Sequence, residues 1–436
     1  MTTSFADSFA AVPGAGAPSW YADLRRAAFD RFGELGFPTT RNEDWHFTSV
    51  TPIAERTFKP VVPKPGPSSL SPNDVSALVL GDPSWHRLVF VNGRFEPTLS
   101  AFAALPVGVR VMTLAEALKA APELLAEHLG KLARYQDHTF TALNTGLLQD
   151  GVVVHVPRGV TVDEPVHIVH VSDANADGVA MHPRLLLVAE ALAQLTVVES
   201  YSAAGNAGYL TNAVAEIEVG NGARVNHYKI QRESTEAFHV STVQVLQGRD
   251  SVYHSFSFAS GAALSRTNVY TKLSGDGGEA RLNGLYMVDG SQHADHQTFV
   301  EHLAPSCASR ELYKGVLDGS SHGVFNGKVY VDPVAQKTDG KQTNHALLLS
   351  DQARVDTKPQ LEIFADDVKC THGATVGRLD QASLFYMKSR GIGAVHARAL
   401  LTYAFAAEVL ETIELDTLRE GLEGLAFARF TQGEQR

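Results

Sequence analysis

Short β-branched segments separated by turn residues fill this chain from Gly151 to Gly377. The segments include Val152–Val156, Val166–Val171, Ala215–Val219, Val243–Leu246 and Val329–Val331. The turns between them include Pro157–Gly159, Gly220–Gly222, Gly248–Asp250 and Gly275–Gly278. Many short strands with a turn roughly every ten residues indicate an all-β structure.

The pattern leaves a sandwich, a barrel and a solenoid open. The stretch is too long for one ordinary sandwich, and segments of helix length that could cross between strands are absent from it. A stack of β coils, each burying its inner face on the next, would use such a sequence naturally. The sequence shows no strict repeat of fixed period, which such a stack often has.

The chain before this stretch has a different texture, and we predict a mainly helical region with some β structure over residues 1–150. Residues 1–18 are rich in Ala, Gly, Pro and Ser, which predicts a disordered or loosely attached lead. Ser19–Leu35 has helical spacing and is followed by Gly36 and Pro38, a common helix stop. The proline-rich residues 59–73 predict a linker, Arg87–Asn92 a short strand, and residues 113–148 further helices.

Helical periodicity returns after Gly377. We predict a β core at 151–378 and a helical region at 379–436, with helices at Gln381–Arg390 and Ala394–Ile413 and a third capped by Asp416. The long middle helix carries few charges, so it must pack on the core of this chain or on a partner.

Charge and hydropathy exclude several classes of partner. The formal net charge of −11 is opposite to what a nucleic acid or an anionic membrane attracts. No stretch has the ~20 apolar residues needed to span a bilayer. The absence of Lys and Arg before Arg25 argues against a secretion signal, and two cysteines are too few for a secreted disulfide framework. We therefore expect a cytoplasmic protein.

Cys370 and His372 form the most suggestive pair of candidate ligands. On a strand, residues two apart point to the same face, so a thiol and an imidazole would lie side by side. Both bind iron or zinc, but two ligands do not complete a site that ordinarily has four. Either other residues of this chain or another chain must finish it; the alternative is a buried free thiol beside a solvated histidine.

A second candidate group is His293, Asp295, His296 and His302, with Cys307 five residues beyond. On a strand His293 and Asp295 share a face that His296 does not; in a loop all of them could converge on a metal. Ordinary polar residues of strands and turns are the competing interpretation. A disulfide between Cys307 and Cys370 is a further formal alternative, disfavoured in a reducing compartment.

Familiar nucleotide and hydrolase motifs are missing. The sequence contains no GxxxxGK[ST], no complete GxGxxG, no GxSxG, no HExxH and no CxxC. Any ATP hydrolysis in the process that this protein serves must therefore come from a partner.

The C-terminal half resembles the SufB/SufD family of iron–sulfur cluster assembly scaffold proteins. The resemblance is carried by Glu311–Gly315, Phe325–Lys328, Asp332–Thr338, Gln342–Asn344, Leu347–Ser350, Thr357–Ile363, Asp366–Cys370, His372–Gly377 and Ser389–Ile392. Arg41–Thr48 is similar to the N-terminal motif of the SufD branch, and the residues between about 50 and 200 match loosely. The SufD branch is favoured because the residues beside His372 are not acidic and the chain is short and poor in cysteine.

This resemblance implies a right-handed parallel β-helix core flanked by helical regions, in a complex with a SufB-type homologue and the ABC-type ATPase SufC. It implies that iron or a nascent iron–sulfur cluster is held transiently at the interface with the SufB-type chain, with His372 as a ligand and Cys370 beside it. It also implies that the C-terminal helices bind the ATPase. The residues that we predict to contact it are Leu384, Tyr386, Arg390, Gly391, His396 and Tyr403.

The sequence thus predicts a non-enzymatic scaffold subunit that offers an incomplete coordination site. Three alternatives remain: a β-solenoid carbohydrate lyase or hydrolase, a standalone metal-binding protein using the His293 group, and a SufB-like homologue or homodimer. The spread of the acidic residues along the chain disfavours the first, because such enzymes need clustered carboxylates or a general base in a groove.

Overall fold

The computed structural model describes residues 3–11, 17–61, 68 and 70–432. Its helices are α1 Thr3–Ala11, α2 Ser19–Leu35, α3 Thr51–Ala54, α4 Pro72–Leu78, α5 Leu114–Ala120, α6 Pro122–His128, α7 Thr139–Gly146, α8 Gln381–Ser389, α9 Ala394–Leu410 and α10 Asp416–Gln432. Its strands are β1 His86–Val91, β2 Arg94–Phe95, β3 Arg110–Thr113, β4 Gly151–Val156, β5 Val166–Ser172, β6 Ala180–Met181, β7 Arg184–Ala189, β8 Gln194–Ala203, β9 Leu210–Val219, β10 Arg224–Arg232, β11 Phe238–Gln247, β12 Val252–Ala259, β13 Leu264–Leu273, β14 Glu279–Val288, β15 His293–His302, β16 Ala308–Leu317, β17 His322–Val331, β18 Asp339–Leu348, β19 Arg354–Ile363 and β20 Lys369–Gly377.

The strands form a parallel β-solenoid. The first sheet runs in the order β2-β1-β5-β8-β10-β12-β14-β16-β18-β20, and the second in the order β3-β4-β7-β9-β11-β13-β15-β17-β19, with β6 beside β9. From β8 onward successive strands alternate between the two sheets, so each coil of the chain adds one strand to each of them. The prediction of a mainly β solenoid flanked by helices is confirmed.

The coils differ in length, which explains why the sequence has no fixed repeat. In the second sheet Phe238 of β11 pairs with Leu264 of β13, a step of 26 residues. His322 of β17 pairs with Arg354 of β19, a step of 32 residues. The turns differ in length, whereas the strands stay in continuous parallel register. The structure therefore repeats from coil to coil although the number of residues per coil varies.

The interior of the solenoid changes from apolar to polar along its axis. Its first coils bury aliphatic side chains between the sheets, among them Val152, Val154, Leu185, Leu187, Val166 and Ile168. Later coils also bury polar groups there, including Glu199, His227, Lys229, His296, Glu311 and Gln342. Because both faces of these strands are covered, apolar and polar residues do not alternate strictly along them. Alternation alone therefore does not distinguish these strands from buried helices.

Helices cover the outer faces of both sheets. Tyr21, Leu125 and Leu129 from the N-terminal helices pack on Val153, Leu186 and Val188 of the second sheet. Val409, Leu410, Leu418 and Leu422 from α9 and α10 pack on Tyr228, Phe256, Phe258 and Leu285 of the first sheet. The face of the sparsely charged long helix α9 that carries Val409 and Leu410 is therefore buried against this chain itself.

The prediction of a loose lead over residues 1–18 is wrong for Thr3–Ala11, which forms α1. Phe5 is buried, its ring 5.9 Å from that of Phe32, and Phe9 stacks on Phe29 at 4.5 Å. Phe5 and Phe9 lie one helical turn apart, so they share one face of the helix. Residues 1–2 and 12–16 of this lead lie outside the described residues, as do residues 62–67 and 69 of the stretch predicted as a linker.

The short strand predicted at Arg87–Asn92 is β1, and it belongs to the solenoid. It pairs in parallel with β5 from His86↔Val166 to Val91↔Val171. The first sheet therefore begins well before Gly151. Within the described part of the chain, no helix is long and apolar enough to cross a bilayer.

Candidate functional site

Cys370 and His372 lie on β20, the last strand of the first sheet. Parallel pairing with β18 sets Cys370 opposite Gly340 and His372 opposite Gln342. A Cβ atom placed on Gly340 would lie 3.4 Å from the Cys370 Sγ, so the thiol packs over that glycine. Since residues two apart share a face, the imidazole and the thiol lie on the same side of the strand.

This end of the solenoid is open. Within the described residues β19 and β20 each pair with a neighbouring strand on one edge only. At the opposite end the sheets finish with β2 and β3, which pair antiparallel with β1 and β4. His372 is exposed and Cys370 is half-buried. His372 is therefore accessible from outside the chain and Cys370 is partly covered, so the alternative of a packed free thiol beside a solvated histidine stays open.

The pair does not make a metal site by itself. Among the described residues no three His, Cys, Asp or Glu side chains are arranged to hold one metal ion. Thiolate and imidazole are suitable ligands for iron, so the donor types fit an iron or cluster cargo. A site with the usual four ligands would need further donors besides this pair.

The thiol is held in its protonated form. Burial raises the pKa of Cys370, a hydrogen bond from the backbone of Gly340 lowers it in part, and the charge of Asp339 raises it. A thiol binds metal as the thiolate. Binding of a cation at Cys370 must therefore release a proton, which makes the binding stronger as the pH rises.

A column of polar side chains continues inward from His372. The registers Glu311↔Gln342 and Gln342↔His372 put one residue from each of β16, β18 and β20 in line. Gln342 Nε2 donates to Glu311 Oε1 at 3.2 Å, and both residues are buried. Burial raises the pKa of the Glu311 carboxyl to about 7, although hydrogen bonds oppose the shift.

The second candidate group does not converge, and its proposed metal site is wrong. His293 and Asp295 contact Thr48, with its hydroxyl 2.9 Å from His293 Nε2 and donating to Asp295 Oδ2 at 2.6 Å. His296 lies inside the solenoid stacked on Tyr286 at 5.0 Å, and His302 contacts the Ser309 hydroxyl at 2.9 Å. Strand alternation separates them.

Neither cysteine forms a disulfide. Cys307 is buried in a turn and donates from its thiol to the Gly275 carbonyl at 3.3 Å. It packs as a structural thiol.

The contacts that hold the N-terminal motif Arg41–Thr48 against the solenoid were not predictable from the sequence. The guanidinium of Arg266 lies 3.8 Å from the Trp45 ring centroid and donates to Asp295 at 2.6 Å. Glu43 forms an ion pair with Lys358 of β19 at 2.9 Å. The motif thus ties the N-terminal region to the open end of the second sheet.

The helices predicted to bind a partner expose an aromatic surface at α8. Phe385 is 75% exposed and Tyr386 59%, and the Arg390 guanidinium lies 5.1 Å from the Tyr386 ring centroid. Gly391 has a φ of +85°, a value that favours glycine and turns the chain between α8 and α9. His396 at the start of α9 is exposed as well.

One of the predicted partner contacts, Leu384, needs correction, and Tyr403 is only partly exposed. Leu384 is buried in a cluster with Leu347, Leu379 and Ala397, where it fixes α8 to the core. Tyr403 is half-buried, with its ring centroid 6.2 Å from that of Phe427 in α10. In α8 and α9 most residues of both helical faces are apolar. The sequence therefore does not distinguish the residues that face the core from those that face outward.

Comparison with known families identifies matches to both the N-terminal region and the core of the chain. The SUF system FeS cluster assembly, SufBD core domain, matches residues 170–405, and the SufBD protein N-terminal region matches residues 11–168. The chain belongs to the SufB/SufD family. The core match covers both β20 and most of α8 and α9.

Three relatives of this family align with this chain along most of their length. An iron–sulfur cluster assembly SufBD family protein of Synechocystis is 34% identical over 91% of this chain and 88% of the relative. The iron–sulfur cluster assembly protein SufD of Escherichia coli is 35% identical over 91% of this chain and 89% of the relative. The SufD of Bacillus subtilis is 28% identical over 93% of each chain.

Proposed function

We propose that this chain is a SufD-type, non-catalytic scaffold subunit that joins a SufB-type homologue and a SufC-type ATPase in the cytoplasm. In this proposal it supplies His372 and Cys370 to iron or a nascent cluster at the interface with the homologue. One observation carries the proposal: a thiol and an imidazole, both suitable donors for iron, lie on the last strand of the first sheet, and no group of three metal-binding side chains is found among the described residues.

The open end has the properties of a docking surface for another β-rich chain. The free edges of β19 and β20 leave backbone N–H and C=O groups that a partner strand can pair. Apolar side chains are exposed beside these edges: Ile363 is 37% exposed, Phe364 60% and Val376 48%. A partner docked here would lie next to His372 and could complete its coordination.

The ATPase would dock on the aromatic surface of α8. Exposed Phe385 and Tyr386, with Arg390 beside them, combine apolar area with a positive charge, as residues that dominate protein interfaces commonly do. This surface lies outside the helical face that packs on the core through Leu384.

Side-chain contacts and strand pairing connect the C-terminal helices to β20, which carries Cys370 and His372. The buried ammonium of Lys314 on β16 donates to the Phe405 carbonyl of α9 at 2.7 Å and contacts the Glu408 carboxylate. In the sheet Lys314 pairs with His345, and His345 pairs with Thr375 of β20. In our proposal a movement of α9 on ATP binding reaches β20 along this path and opens the interface to iron and sulfur.

The test is cluster assembly in the co-expressed complex. We expect His372→Ala to leave the three-protein complex intact by size analysis and to abolish formation of the cluster, measured by its visible absorption. His155→Ala is the matched control, because His155 lies on β4, at the far end of the solenoid, and contacts Glu190. Normal cluster formation by His372→Ala would remove the basis of the proposal.

A further inference from the structure

Gln342 lies between Glu311 and His372 in the inward column of the first sheet. Adjacent parallel strands are about 4.8 Å apart, so side chains in such a column stack on one another. Gln342 is 1% exposed and Glu311 3% exposed, whereas His372 at the end of the column is exposed. The column therefore connects the buried interior to the ligand site.

The amide of Gln342 has one unused hydrogen-bonding atom. Its NH₂ group donates to Glu311, and its carbonyl oxygen is buried with no hydrogen-bond partner among the described residues. Buried polar atoms in folded proteins are nearly always paired, so an unpaired amide oxygen at this position calls for a donor. Its two neighbours in the column are Glu311, which already accepts a hydrogen bond from the amide, and His372, whose imidazole carries an N–H that can donate.

The opposite sheet keeps this amide in place. A Cβ atom on Gly327 of β17 would lie 2.2 Å from Gln342 Nε2 and 2.6 Å from Cδ, a distance that no real contact reaches. Gly327 therefore leaves room for this side chain and for the ring of Phe325, whose Cζ would lie 2.9 Å from the same Cβ. The Gln342 carboxamide is thus held between Glu311 on the neighbouring strand and Gly327 of the opposite sheet, next to His372 in the column.

We propose that the Gln342 carbonyl oxygen accepts a hydrogen bond from one imidazole nitrogen of His372, so that the other nitrogen faces the open end of the solenoid. Histidines that bind metals commonly donate their second N–H to such an acceptor, which fixes the tautomer and orientation of the ring. Gln342 is thus a positioning residue, anchored by Glu311, and this inference rests on the proposed role of His372.

Nuclear magnetic resonance of the full chain labelled with ¹⁵N-histidine tests the hydrogen bond directly. His372→Ala identifies the signals of this ring, and the shifts of its two nitrogens report the tautomer at a pH where titration shows the ring to be neutral. We expect one dominant tautomer in the wild type and a shift toward the distribution of free imidazole in Gln342→Met, which keeps the length but removes the acceptor. A free-imidazole distribution already in the wild type would overturn the inference without recourse to any variant.

Cluster assembly with the co-expressed partners separates this inference from the proposed function. Loss of a hydrogen-bonding partner of a metal ligand typically costs ~10–100-fold in metal affinity or activity, so we expect a loss of about this size in Gln342→Met and partial recovery in Gln342→Glu, which restores an acceptor. Asn344→Leu is the control, because Asn344 is buried on the same face of β18 but pairs with Ala374 instead of a histidine. If His372→Ala fails to assemble clusters while Gln342→Met assembles them normally with an unchanged tautomer, Gln342 has no positioning role and the function of His372 stands.

Discussion

At the scale of single residues, the ligand pair shows what a sequence can and cannot reveal. The spacing of Cys370 and His372 predicts two donors on one face, and the structure has them on β20. Glu311 and Gln342 lie 61 and 30 residues before His372 in the sequence, and only the register of the strands aligns the three. No local pattern could have found them, because coil lengths vary.

The raised pKa of Glu311 predicts how stability depends on pH. Its folded-state value of about 7 lies above the ordinary value of about 4.3. The folded protein therefore holds this proton more tightly than the unfolded chain, and the stability that it contributes is present below about pH 4.3 and is lost as the pH rises to about 7. Glu311→Gln removes this dependence.

We expect the free energy of unfolding of the wild type, relative to that of Glu311→Gln, to fall by on the order of 3 kcal/mol between pH 4.5 and 7.5. Chemical denaturation at several pH values measures it. Glu362→Gln, at an exposed carboxylate on β19 that pairs with Lys328, is the control for the loss of a surface charge. Parallel pH curves for the wild type and Glu311→Gln would show that the carboxyl is not buried as described.

At the scale of elements, the terminal strands and the C-terminal helices carry the proposed contacts. The helices were predictable from periodicity: the predicted Gln381–Arg390 and Ala394–Ile413 are observed as Gln381–Ser389 and Ala394–Leu410. Which of their residues face outward was not, and Leu384 shows why. Its apolar side chain suits a core and an interface equally, and tertiary packing decides between them.

The edge of β20 is tested by a charge at Val376. This side chain is 48% exposed at the open end, so Val376→Asp should change the thermal midpoint of the isolated chain little. A buried unpaired carboxylate at an interface is costly, and we expect affinity for the SufB-type partner to fall at least ~10-fold, measured by calorimetry. Val107→Asp, at a residue that is 96% exposed in the N-terminal region, is the control. Equal affinity of both variants would locate the partner elsewhere.

The surface of α8 is tested by truncating its two exposed aromatic rings. The double variant Phe385→Ala/Tyr386→Ala should bind the SufC-type ATPase at least ~10-fold more weakly, because aromatic side chains at the centre of an interface commonly contribute 2 kcal/mol or more each. Binding of the SufB-type partner should be unchanged. Phe102→Ala removes a ring that is 45% exposed in the N-terminal region and serves as the control. Undiminished ATPase binding by the double variant would contradict this docking surface.

At the scale of the whole molecule, the solenoid separates two helical layers and presents one open end. The all-β texture from Gly151 to Gly377 predicted the strands, and the family resemblance predicted that they coil. The start of the first sheet at β1 was hidden, because the parallel partner that places His86–Val91 in the solenoid is β5, which follows only at Val166. Long-range pairing supplies what local propensity lacks.

The docking of the N-terminal motif also belongs to this scale. Trp45 and Glu43 reach Arg266 and Lys358, residues more than 200 positions away, and so connect the first helices to the last strand of the second sheet. The sequence identified the motif but not its target, since nothing within the motif encodes the surface against which it packs.

The central claim is that this chain donates a histidine to a cluster shared with another subunit. Pulsed electron paramagnetic resonance of the reduced cluster, in a complex with this chain alone labelled with ¹⁵N-histidine, tests it most directly. The account predicts a ¹⁵N hyperfine coupling of a directly bound imidazole, lost in His372→Ala. A wild-type cluster of normal yield without any ¹⁵N coupling would contradict it.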